Sequence, residues 1–165
     1  MSHRQLGIMQ LALTATFAGL VAATTLMIRL PIPETSGYFN IGDAMIFVAA
    51  LLFRQTIGGL AGGIGSSIAD IIGYPLFAPY TLVIKGMEGW LVGKISRKTL
   101  KSDYVACALG GMEMVIGYLF IEILLFCLGA AIVEVPFNIF QAIVGVAVGP
   151  PIALFLRRRL PQLET

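Results

Sequence analysis

The chain alternates long uncharged runs with short polar interruptions, and most of the runs are of membrane-spanning length. A helix needs roughly 20 apolar residues to cross a hydrocarbon core about 30 Å thick, at a rise of about 1.5 Å per residue. Gln5 to Ile28 carries no charge and predicts one full helix. It could pass for a signal sequence behind His3 and Arg4, but the run is long for that and the chain stays apolar beyond it. Pro31 to Gly42 holds two prolines, Glu34 and Asn40, and reads as a loop. A short apolar run, Ala44 to Phe53, ends at Arg54; a glycine-rich third run follows from Gly58 to Ile72. Gly73-Tyr74-Pro75 interrupts the pattern, and Pro79 restarts it as far as about Ile95. Ser96 to Asp103 is polar. Tyr104 to about Ala131 predicts a fifth helix and Pro136 to Leu156 a sixth, stopped by Arg157-Arg158-Arg159. The second run is too short to cross alone and reads as a tilted or partial helix packed inside the bundle.

Composition supports this pattern. Of the 165 residues, 58% are hydrophobic and 12% charged, with a mean hydropathy of +0.90, against about 25% charged residues in a typical soluble domain. Disorder, collagen-like repeats and a disulfide-stapled module are excluded. The expectation is an all-α integral membrane protein, a single domain over residues 1–165 with about six transmembrane helices. A net charge of +2 is too small to suggest nucleic acid. Its placement is more informative: of the eleven Lys and Arg residues, Arg4, Arg54, Lys94, Arg97, Lys98, Lys101 and Arg157 to Arg159 fall on one side of a six-span layout. The opposite loops hold Glu34 and Glu134, with Arg29 the only base near them. The positive-inside rule then puts both termini in the cytoplasm. Cys107 and Cys127 lie in apolar runs without metal-ligand spacing and read as reduced packing residues.

Ionisable side chains inside a bilayer cost roughly 2.5–3.5 kcal/mol each on the insertion scale, so they ask for a reason. Asp70, Lys85, Glu88, Glu113 and Glu122 fall in predicted spans, and Asp43 opens the second at its outer end. Lys85 and Glu88 are spaced i, i+3 and can pair on one face. Following the direction of each helix, Asp43, Asp70, Lys85, Glu88, Glu122, Asn138 and Gln141 concentrate in the outer half, near Tyr38, Asn40 and Tyr74 and beside Phe39, Phe77 and Tyr80. That predicts an outward-facing pocket with a polar floor, aromatic walls and a loop lid. A structural Lys85–Glu88 ion pair is the plainer alternative for those two residues. Glu113, alone in the inner half, reads as structural or as part of an interface.

Small residues form a second pattern. Ala15, Gly19 and Ala23 recur at i, i+4 and i+8 on the first helix, with Ala18 and Ala22 beside them. Such stripes let two backbones approach closely in lipid, and they fit either internal packing or a partner protein. Gly58, Gly59, Gly62 and Gly63 repeat the device; Ile64 stands where a phosphate-binding loop would carry Lys, so they read as packing. With one histidine, in a terminal tail, no zinc helix or nucleophile elbow exists, and neither metal, cofactor nor catalytic residue is expected. The chain reads as a binder rather than an enzyme.

The residues resemble a known family. Asn40-Ile41-Gly42-Asp43 opening a short helix, Gly62-Gly63-Ile64-Gly65-Ser66 running to Ala69-Asp70, Gly73-Tyr74-Pro75, Ala78-Pro79, and Ile84-Lys85-Gly86-Met87-Glu88-Gly89 are similar to the S components of energy-coupling factor (ECF) transporters. The combination resembles the riboflavin-type branch, which includes relatives assigned to hydroxymethylpyrimidine or pyridoxine. The resemblance implies a six-helix subunit that binds a vitamin from outside and docks on a membrane-embedded T subunit driven by two cytoplasmic ATPases. It implies that the first helix presents an Ala-xxx-Ala surface to the T subunit, matched here by Ala18 and Ala22 and overlapped by Ala15 and Gly19. It also implies that the loop around Tyr38 to Asn40 closes over the ligand. A small ring such as hydroxymethylpyrimidine or pyridoxine suits a short chain with a dense ring of ionisable groups better than riboflavin does. Two other readings remain: a stand-alone permease or channel, which should carry polar residues along the whole depth of a helix, and an intramembrane enzyme, which lacks its histidines and acid pairs.

Overall fold

The computed structural model describes residues 3–31 and 38–159, with side chains from residue 7 onward. Glu34 and the rest of the predicted lid between residues 31 and 38 therefore lie outside the described residues, as does the side chain of Arg4. Among the described residues there are five helices and a short antiparallel ribbon: α1 (His3–Met27), β1 (Arg29–Pro31), β2 (Tyr38–Asn40), α2 (Gly42–Gly73), α3 (Ala78–Ile95), α4 (Leu100–Leu125) and α5 (Leu128–Arg159). Four of the helices are long and apolar enough to cross a membrane. The exception, α3, carries Lys85, Glu88 and Lys94 within 18 residues.

α2 contains both the second and the third predicted runs. It is not one rod, because Arg54 has φ 67° and ψ −169° and breaks the helical path. Side chains sixteen and eight residues apart meet across the break: a Cβ on Gly62 would lie 2.9 Å from Ile46 Cγ2, and one on Gly58 would lie 2.6 Å from Ala50 Cα. The limbs 42–53 and 55–73 thus run antiparallel, turning at a single non-glycine residue in a region of φ/ψ space that costs of order 1–3 kcal/mol. The turn leaves carbonyls of the first limb without helical donors. Arg157, from the end of α5, supplies one: its Nη2 donates to Leu51 O at 2.6 Å, while its Nη1 donates to Asp103 Oδ2 at 2.6 Å. Ser96 donates to the other oxygen of Asp103 at 2.6 Å, so the ends of α3 and α5, the start of α4 and the turn of α2 meet in one buried cluster.

The first limb is the centre of the molecule. Phe47, Ala50 and Leu51 pack with Val21, Val92, Ala106, Cys107 and Ala153, drawn from the other four helices. α1 lies on this core through Thr14, Ala18, Val21, Ala22 and Thr25, a buried helical stripe, while Ala15, Gly19 and Ala23 are exposed. Of the four residues expected at a partner surface, Ala15 and Gly19 are exposed, whereas Ala18 packs on Ala49 and Ala61 of the same chain and Ala22 is likewise buried. Cys127 is also exposed rather than packed. The predicted glycine packing appears between α2 and α3, where a Cβ on Gly59 would come 3.0 Å from Gly86 O and one on Gly63 2.6 Å from Leu82 O.

The last two helices divide earlier than predicted. α4 ends at Leu125, with Phe126 N donating to Glu122 O at 3.0 Å, and α5 starts at Leu128. Pro136 lies inside α5 instead of opening it, as do Pro150 and Pro151. A bundle in lipid tolerates helical proline because neighbouring groups satisfy the freed carbonyls. Glu134, expected in a loop, is consequently a buried helical residue. Leu13 and Phe17 of α1 pack with Ile152 and Leu156 of α5 around the turn of α2, so the start of α1 and the end of α5 share one end of the bundle. That end carries Arg54, Lys94, Arg97, Lys98, Lys101 and Arg157 to Arg159.

Candidate ligand site

At the opposite end, a cavity of about 30 Å³ is lined by Tyr38, Asn40, Asp70, Phe77, Tyr118, Glu122, Glu134, Asn138 and Gln141. Tyr38 and Asn40 come from β2, Asp70 from the last turn of α2, Phe77 from the residue before α3, Tyr118 and Glu122 from the last third of α4, and Glu134, Asn138 and Gln141 from the first half of α5. The antiparallel order of the helices brings these ends together.

The ribbon forms the cover. β1 and β2 pair with Arg29 opposite Asn40 and Pro31 opposite Tyr38. Tyr38 stacks on Tyr74 with ring centroids 4.8 Å apart, and the Arg29 guanidinium lies 4.4 Å from the Tyr38 ring centroid, where cation–π attraction operates. Arg29 Nη2 donates to Ala69 O at 2.9 Å. Tyr38 donates its hydroxyl proton to Asp70; burial, then the neighbouring Asp70 charge, pushes the phenol well above its ordinary pKa, so it stays a donor. The other strand contact is amide to amide: Asn40 N and Nδ2 both donate to Gln141 Oε1 at 3.0 Å.

Beneath the cover lies a charged network. Gln141 Nε2 donates to Asp43 Oδ2 at 3.1 Å, and Lys85 Nζ donates to Asp43 Oδ1 at 2.5 Å. Lys85 also faces Glu88 Oε2 at 3.0 Å across the predicted i, i+3 spacing. All three charged residues are at most 2% exposed. Their contacts are mostly to one another, and they do not line the cavity. Of the predicted site residues, Tyr38, Asn40, Asp70, Glu122, Asn138 and Gln141 line it, Tyr74 backs Tyr38, and Asp43, Lys85 and Glu88 lie below. Tyr118 and Glu134 complete the lining and were missed by the sequence reading, Glu134 because Pro136 was expected to start the helix.

Two lining groups have polar atoms without a partner among the described residues: Glu122 Oε2 and Asn138 Nδ2. Buried polar atoms are ordinarily satisfied. One unmatched acceptor and one unmatched donor, beside a second carboxylate from Glu134, therefore make a surface chemically suited to a polar ligand. Phe77 and Tyr118, with centroids 6.5 Å apart, supply apolar and π-face area beside it.

Comparison with known proteins agrees with this architecture. Residues 5–158 match the family model described as ECF-type riboflavin transporter, S component. A Pyrococcus woesei protein, described by its position in the gap 3′ region, is 44% identical over 147 residues, covering 87% of this chain and 99% of that protein. The thiamine precursor transporter HmpT of Lactococcus lactis subsp. cremoris (strain MG1363) is 28% identical over 153 residues, covering 92% of this chain and 89% of its own length.

Proposed function

This chain belongs to the ECF-type riboflavin transporter S-component family, a family of transporter subunits rather than enzymes, and from that premise we propose that it captures a small planar vitamin precursor. A ring of the hydroxymethylpyrimidine or pyridoxine type is favoured over riboflavin. The carrying observation is the cavity lining: Glu122 and Glu134, with Asn138, face one small space, and Glu122 Oε2 and Asn138 Nδ2 are unmatched. Two carboxyl groups side by side share a proton more readily than they carry two charges. With the Asn138 amide they offer acceptors and donors together, matched by a small ring that carries both, such as an amino-substituted pyrimidine or a ring bearing a hydroxyl and a ring nitrogen. The likeness to a thiamine precursor transporter supports the same choice.

In this reading the basic end of the bundle faces the cytoplasm and the cavity faces outward, with the Arg29–Asn40 ribbon as the cover. Tyr38, Asn40, Asp70, Glu122, Asn138 and Gln141 contact ligand; Tyr74 orients Tyr38; and Asp43, Lys85 and Glu88 hold Gln141. The exposed α1 stripe of Ala15, Gly19 and Ala23 docks on the T subunit, and two ATPases drive release. Calorimetric titration of the detergent-solubilised protein with hydroxymethylpyrimidine, pyridoxine and riboflavin tests the substrate class. Tight binding of a small ring is the expected result, and nanomolar binding of riboflavin alone would overturn it.

A further inference from the structure

Arg54 and Lys98 are the non-glycine residues with positive φ among those described, and both line one basin at the basic end. Strained backbone of this kind concentrates where function maintains it. Among the described residues Lys94, Arg97 and Lys101 complete the set of lining cations and no carboxylate lines the basin, whose volume is about 810 Å³. Asp103 lies behind it, buried and already held by Arg157 and Ser96. The turn of α2 and the turn between α3 and α4 thus gather five like charges with no counterion from the lining.

An apolar groove lies next to the basin. Gln55 and Thr56, which follow Arg54 directly, begin a cleft of about 600 Å³ between the second limb of α2 and α3, lined by Gly59, Gly63 and Gly86 and walled by Trp90. Lys94 joins the two features, its Nζ lying 4.2 Å from the Trp90 ring centroid. The glycines keep the cleft open, because they bring the two backbones together without filling the surface between them.

We propose that basin and groove together bind an anionic phospholipid, its phosphate among the five cations and one acyl chain along the glycine-lined cleft. Tryptophan beside lysine is the ordinary signature of the membrane interface, and cationic clusters there attract acidic headgroups. A free phosphate would use the basin and leave the groove unused; an amphipathic lipid matches both. The proposal requires only that the chain sits in a bilayer and is independent of which vitamin it carries.

Trp90 is the chain's one tryptophan, so its fluorescence reports on the groove alone. The protein is reconstituted in vesicles of equal parts phosphatidylglycerol and phosphatidylcholine, with bromine on the acyl chains of one lipid or the other. Brominated phosphatidylglycerol should quench Trp90 the more strongly, corresponding to roughly fivefold enrichment or greater, the scale of even one cation's attraction to an acidic surface. The combined variant Arg97→Gln, Lys98→Asn and Lys101→Gln removes three of the five cations and should sharply reduce the difference, with asparagine chosen because it tolerates the left-handed backbone. Vitamin affinity should stay unchanged, which verifies the fold. Equal quenching by both lipids in the wild type would overturn the proposal and leave the cations to orientation or to an acidic protein surface. A preference left undiminished by the triple substitution would overturn it too.

Discussion

Glu122 and Glu88 are both buried glutamates, yet they should fail in different ways when truncated. Glu122 brings an unmatched oxygen to the cavity, so Glu122→Ala should weaken ligand binding by about 1.5–3 kcal/mol, roughly 10- to 150-fold, with little change in unfolding temperature. Glu88 faces Lys85 below the cavity. Removing it takes away one of the two carboxyl groups that Lys85 faces and leaves Asp43, so the cost should stay below the roughly 3–5 kcal/mol of a buried charge left wholly unpaired. Glu88→Ala should therefore unfold at lower temperature, and isothermal titration at a temperature where it remains folded should find the direct ligand contacts intact. A large affinity loss without a stability loss would instead put Glu88 in the ligand's shell. The sequence displayed both residues equally well, as charges in apolar runs. It could not distinguish a charge that meets ligand from one that meets another helix, because that depends on Asp43, forty-two residues from Lys85, arriving at 2.5 Å.

Between residue and fold, the turn of α2 is the most constrained feature. Arg54 holds a backbone conformation suited to glycine, so Arg54→Gly should raise stability by about 1 kcal/mol in thermal unfolding. Arg157→Leu should do the opposite and more strongly, about 3–5 kcal/mol, because it leaves Asp103 buried without its cation and Leu51 O without its donor. Arg54 was legible as the end of a short apolar run, and the reversal there follows from a first limb too short to cross on its own. The divide between α4 and α5 was not legible. Pro136 looked like a helix start, while the real break at Phe126–Cys127 lies in a wholly apolar stretch where periodicity and composition give no mark.

For the molecule as a whole, the exposed and buried faces of α1 separate coupling from folding. Ala15→Trp or Gly19→Trp should leave ligand affinity nearly intact and abolish uptake in cells that also make the T and ATPase subunits, because a large side chain prevents close helix approach. Ala18→Trp should fail at an earlier step, losing folded protein, since Ala18 packs on Ala49 and Ala61. Uptake by the Gly19 variant at the wild-type rate would remove this face from the docking surface. Orientation has its own test: in a Cys127→Ser background, a cysteine at Ser102 should react with an impermeant reagent only from the cytoplasmic side. The small-residue pattern was visible in the sequence, but adjacent stripes one residue apart on a helix carry the same composition, and only packing tells which is turned inward.

The ion network below the cavity also bears on how the protein is made. Lys85, Glu88 and Lys94 make α3 the one helix unsuited to entering a bilayer by hydropathy alone, each central charge opposing insertion by about 2.5–3.5 kcal/mol. Its Lys85 becomes acceptable only when Asp43 is already in place, and its backbone becomes acceptable where the glycines of α2 receive it. Synthesis supplies both in the needed order, because α2 leaves the ribosome first. In a glycosylation-mapped insertion assay, α3 alone should pass through the translocon, and the same segment preceded by α2 should stay in the membrane. Assembly at the translocon is then a property of the helical pair, and Asp43→Leu should expose it as a defect in topology before any ligand is met.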